Sequence, residues 1–77
     1  MDHIEILNSY IKKYPESLPF DAVTLDELKS DTEKLNLCID YIISLFSKIG
    51  LSEDFAPTMD GIMLDSCLEY LTELRER

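Results

Sequence analysis

The segment Thr24–Gly50, TLDELKSDTEKLNLCIDYIISLFSKIG, sets the architecture of this 77-residue chain. Leu25, Leu28, Thr32, Leu35, Ile39, Ile42, Phe46 and Ile49 step through it at 3–4–3–4–3–4–3. That is the period of one helix face. Thr24 and Glu27 have the spacing of a capping box, and Asp26 and Glu27 suit the positive end of a helix. The unbroken period predicts one helix over 24–49. Ser30 and Glu33 form a second capping box, so a short helix followed by a bend near Ser30 is the competing reading.

From Leu35 onward Cys38, Tyr41, Ile43 and Leu45 widen the apolar arc. At 100° per residue the arc spans roughly 200°, well beyond the ordinary amphipathic stripe. A helix of this kind needs neighbours on two sides. Asn36, Asp40, Ser44, Ser47 and Lys48 form its polar remainder, and Leu37 falls on that polar arc beside Asp40 and Tyr41. Gly50 has the position of a C′ glycine, with Leu51 placed to contact the last turn.

The flanking segments read as covers for this helix. Asp2 and Glu5 have capping-box spacing, and Ile4, Leu7, Ile11 and Tyr14 make a stripe widened by Tyr10. A first helix is therefore expected over 2–14, ended by Pro15. The connection 15–23, PESLPFDAV, carries Leu18, Phe20 and Val23, which are expected to fold back over the bundle with Phe20 as a plug. A loop over 52–58 is expected to tuck Phe55 into the core. Thr58 or Asp60 then caps a last helix over 59–75, with Leu64, Cys67, Leu68, Leu71 and Leu74 inward and Arg75 and Arg77 at its negative end. The expected fold is a single all-α domain, a small three-helix bundle that becomes four if the central helix breaks near Ser30.

Composition narrows the functional classes. Sixteen acids against seven bases give a formal net charge of −9. Such a surface repels phosphate backbones and anionic membranes, so neither nucleic acid nor membrane is an expected partner. It favours fast association with basic protein surfaces. No apolar run approaches the roughly 20 residues of a membrane span. Without a secretory signal, Cys38 and Cys67 read as reduced core residues in a cytoplasmic protein, a disulfide between them being the other option.

Chemistry finds little support. His3 stands near the chain start without a sequence-adjacent partner, and two cysteines with one histidine give no zinc spacing. Gly50 and Gly61 are the only glycines, so no phosphate loop can be drawn. Asp54–Asp65 fails as a calcium loop, because Ala56, Thr58 and Cys67 occupy ligand positions when Gly61 is the sixth residue. No enzymatic activity and no cofactor are expected.

Two surfaces stand out for binding. Between Glu53 and Glu73 the chain holds Glu53, Asp54, Asp60, Asp65, Glu69 and Glu73 and not one base. Asp65, Glu69 and Glu73 repeat at i, i+4 and i+8 as a like-charge ridge, with Ile62 beside them in helical phase. An apolar residue ringed by acids has the composition of an anchor with a steering rim. The second surface is the flank at Leu37, Asp40 and Tyr41. The expectation is a protein-binding module, an antagonist, inhibitor or immunity-type protein that occupies a basic surface of a target. The alternative is a structural or adaptor subunit, acting as a homodimer or within a larger assembly.

Overall fold

A computed structural model of the chain describes residues 2–15 and 18–76. Four helices form a small all-α bundle: α1 (His3–Lys13), α2 (Leu25–Ser30), α3 (Thr32–Ile49) and α4 (Met59–Glu76). The expected cap on α1 forms, the Asp2 carboxylate accepting from the Ile4 amide at 3.1 Å. Thr24 and Glu27 build the full capping box at the start of α2. Arg77 lies outside the described residues.

The expected single helix over 24–49 is broken by one residue. Asp31, at φ −124° and ψ 94°, ends α2 and begins α3. Its amide still donates to the Glu27 carbonyl, while its carboxylate accepts from the Lys34 amide at 3.1 Å. Just before it, the Ser30 hydroxyl bonds back to the Asp26 carbonyl at 2.9 Å, a side-chain alternative to the helical ladder. The cap is therefore Asp31 rather than Ser30. Lys34 also pairs with Glu27 across the break. That pairing, then the Thr24 hydrogen bond, holds the Glu27 carboxyl below its usual range.

The core gathers Ile4, Ile6, Leu7, Tyr10 and Ile11 of α1, Leu28 of α2, Leu35, Cys38, Ile39, Tyr41, Ile42 and Leu45 of α3, and Leu64, Cys67 and Leu71 of α4. Burial of these side chains is the main favourable term in folding, each worth roughly 1.5–3 kcal/mol when large and apolar. The connection from α1 to α2 folds back as expected, but Val23 rather than Phe20 is its buried plug. Asn8 accounts for this. Its side-chain amide donates to the Val23 carbonyl and its oxygen accepts from the Val23 amide, both at 2.8 Å. Phe20 is only half-buried and lies under the Lys34 ammonium, 5.0 Å from the ring centroid.

The joint between α3 and α4 departs from expectation in two ways. Gly50 caps α3 with right-handed geometry (φ −80°), so it does not serve as a left-handed terminator. Its value is space: a Cβ there would lie 2.6 Å from both the Phe46 ring and the Phe46 carbonyl oxygen. Leu51 stays exposed instead of closing on the last turn. Phe55 carries the positive φ (63°) and is 81% exposed, so it projects from the loop tip rather than entering the core. Ser52 and Ala56, Ser52 and Phe55, and Gly50 and Thr58 are tied by backbone hydrogen bonds, with a bridge between Leu51 and Pro57. This short hairpin leaves the Phe55 side chain nowhere to go but outward. Thr58 caps α4 by accepting from the Gly61 amide at 3.0 Å, while its hydroxyl donates to Ile49 at 2.8 Å.

Candidate protein-binding surface

α4 lies between α1 and α3, and its remaining side faces solvent. Asp60 accepts a 2.6 Å hydrogen bond from Tyr10 of α1. Burial and that carboxylate neighbour push the Tyr10 hydroxyl well above its ordinary pKa. Farther along, the His3 ring stacks on Tyr70 at 4.7 Å with Nε2 3.0 Å from the Ser66 hydroxyl, and the Cys67 thiol lies 3.7 Å from the His3 carbonyl. These contacts take up the side of α4 bearing residues 60, 66, 67 and 70. Leu64, Leu71 and the glycine joint turn toward the core and α3. Ile62, Asp65, Glu69 and Glu73 are left on the outer side, all exposed, with Ile62 at 56%.

The acidic ridge separates two depressions rather than lining one. Glu69 and Glu73 border a hollow with His3, Ser66 and Tyr70 on the α1 side. Asp65 faces the other way, into a groove it shares with Ile43, Phe46, Ser47 and Leu68. Ile43 belongs to the wide apolar arc for which the sequence predicts cover, yet it is 50% exposed. No described helix lies over that side of α3 and α4, which is why an aliphatic side chain remains in water there.

The second predicted surface is corrected at one residue. Leu37, Asp40 and Tyr41 do share a depression, with Ser44 and with Leu18 from the first connection. Leu37 is 38% exposed and Asp40 is exposed. Tyr41, at 5%, is buried. Its hydroxyl donates to the Tyr14 carbonyl at 2.7 Å and the Tyr10 carbonyl at 3.0 Å, so it latches the end of α1 to α3. Pro15 has no amide with which to extend the α1 ladder, and Tyr41 supplies a donor in that region.

Both cysteines are free and buried. Burial pushes each thiol up to about 11, away from reactivity. Among the described residues no group of three His, Cys, Asp or Glu side chains is placed to hold a metal ion, and no helix is long and apolar enough to cross a membrane. Sequence reasoning missed Ile43, Phe55 and Met59 as exposed apolar residues. Only the acidic neighbours Glu53 and Asp54 signalled that Phe55 stands in a polar loop. No family model, curated protein or solved structure matches this chain.

Proposed function

We propose that this chain is a protein-binding module whose acidic outer face occupies a basic surface on a target protein, in the manner of an antagonist, inhibitor or immunity protein. The observation that supports this reading is the exposed face of α4. It carries Asp65, Glu69 and Glu73 without a base among them and has Ile62 as an exposed apolar residue at the N-terminal end of the row. Acids so arranged repel one another along the helix and weaken it slightly. They gain a use when a cationic surface approaches, because complementary charge raises the rate of encounter. Among the described residues both thiols are buried and the His3 ring is held against Tyr70 and Ser66, which supports a reading by occupancy. The protein is read as acting by occupancy, in the cytoplasm, without a cofactor.

The test is capture of the target from the native host at low and high salt, followed by binding measurements on the purified pair. Binding should weaken steeply with salt and with Asp65→Lys/Glu69→Lys. Binding indifferent to both would reject the reading.

A second reading, an adaptor or homodimer, is favoured by the exposed apolar side chains Ile43, Phe55, Met59 and Ile62. Sedimentation at micromolar concentration distinguishes it, since a strict monomer that binds no hydrophobic dye would count against it.

A further inference from the structure

The groove between α3 and α4 has a definite shape and charge. Ile43, Phe46 and Leu68 give it an apolar floor, and Asp65 is the one charged residue lining it. Two contacts between the helices bound its length. At one end Arg75 donates to the Asn36 side chain at 3.3 Å. At the other, the Gly61 backbone abuts the Gly50 carbonyl. Residues 36 to 50 at 1.5 Å per residue give a seam of about 20 Å between the two helices, the length of a helix of roughly four turns, and the groove opens in its middle at residues 43–47 and 65–68. α1 packs on the opposite side of α4, through Tyr10, His3 and Cys67. The α3–α4 pair is therefore covered on one side and open on the other.

We infer that this groove receives a basic amphipathic helix of the target protein. The inference rests on the protein-binding reading above and specifies its partner. A helix laid along two antiparallel helices buries apolar residues at i, i+3/i+4 and i+7, and the spacing of Ile43, Phe46 and Leu68 offers contacts for such a stripe. Charge selects the sign of its flanks. Asp65 stands in the groove, and Glu69 and Glu73 continue along the adjacent ridge. Arg75 sits at the far end of the seam and is engaged with Asn36. A lysine or arginine flank on the incoming helix would meet Asp65 in the groove and, on the ridge beyond it, Glu69 and Glu73. An acidic helix would not. Half-exposed Ile43 would lose its water-facing surface, and the open side of the α3–α4 pair would gain a cover like the one α1 gives the other side.

The probe is a synthetic 18-residue helical peptide with a leucine stripe and lysine flanks. Two controls accompany it, the same composition scrambled to destroy the stripe and the stripe peptide with glutamine for lysine. Affinity is measured by titration calorimetry, and the site is located by backbone amide chemical-shift changes in the full chain. The stripe peptide should bind with shifts centred on Ile43, Phe46, Asp65 and Leu68. Scrambling or Lys→Gln replacement should weaken it at least tenfold. Ile43→Asp, at a half-exposed position that leaves the core intact, should weaken it at least tenfold with unchanged circular dichroism. Ile43→Ser should give a smaller loss in the same direction.

If Ile43→Asp and Ile43→Ser leave affinity unchanged while Asp65→Lys/Glu69→Lys reduces it, the groove assignment is overturned and the acidic-face reading stands. If all these variants bind as the unaltered chain does, both are overturned. A dimer in sedimentation that Ile43→Asp dissolves, with no peptide bound, would assign the groove to a second copy of this chain and overturn the basic-helix partner.

Discussion

A Cβ placed on Gly61 would lie 2.0 Å from the carbonyl oxygen of Gly50, so the first turn of α4 and the end of α3 touch backbone to backbone. The obstacle is a main-chain atom that cannot rotate away. Alanine would recover up to about 1 kcal/mol of helix propensity, but forcing atoms into a filled joint costs about 1–3 kcal/mol. Gly61→Ala should therefore destabilise the protein in urea unfolding. A higher midpoint in the variant would show that the helices do not meet this closely.

Tyr41 tests the latch between α1 and α3. Its hydroxyl serves the Tyr14 and Tyr10 carbonyls, and the Tyr10 oxygen also accepts from the Tyr14 amide. Tyr41→Phe keeps the packing and removes the donor, so the expected cost is about 1–2 kcal/mol. Amide hydrogen exchange should speed most at the end of α1. An unchanged melting temperature would return Tyr41 to the candidate binding surface from which its burial removes it.

Phe55 sits at φ 63°, where a bulky residue is strained. Asparagine tolerates this conformation, and an 81% exposed ring gives up little packing. Phe55→Asn should raise stability by about 0.5–1 kcal/mol, read as a higher thermal midpoint. A drop would mean that the ring contributes contacts in the free protein.

The thiols predict a pH dependence. Burial lifts Cys38 and Cys67 from the ordinary 9.0 to about 11. Between those values the unfolded chain has lost thiol protons that the folded chain retains. Their contribution to stability is thus complete below pH 9 and falls away as pH rises toward 11. At pH 8 a shift of this size leaves about 100-fold less thiolate than in an exposed cysteine, so disulfide-exchange reagents should label the native protein correspondingly slowly. Labelling at the rate of the urea-unfolded chain would refute the burial and, with it, any resistance of the core to oxidants.

The parts legible in the sequence were those fixed locally. Asp2 and Thr24 announce helix starts because a cap needs only its own next three residues, the choice between Thr58 and Asp60 falls to Thr58, and the stripe Leu64–Leu71 follows from period alone. The break at Asp31 was less legible, since the apolar period runs through it undisturbed while a one-residue cap and the Ser30 back-bond interrupt the backbone. Gly50 and Phe55 inverted the usual rule, the glycine being kept for close packing and the positive φ falling on an aromatic residue. Tyr41 and Ile43 differ in burial because α1 ends over one and no described helix covers the other. Helical phase on α3 cannot encode which side a neighbour covers. The acidic ridge was legible as charge, whereas its division between two depressions required the packed helices.

The most direct test of the acidic-face reading is the association rate constant with the purified target, measured by stopped flow across a salt series for the unaltered chain and for Asp65→Lys/Glu69→Lys. Electrostatic steering raises on-rates by about 10- to 1,000-fold at low ionic strength. The unaltered chain should therefore associate at least tenfold faster than the variant in low salt, and the two rates should converge as salt rises. Equal rates at low salt, or rates flat across the series, would contradict it.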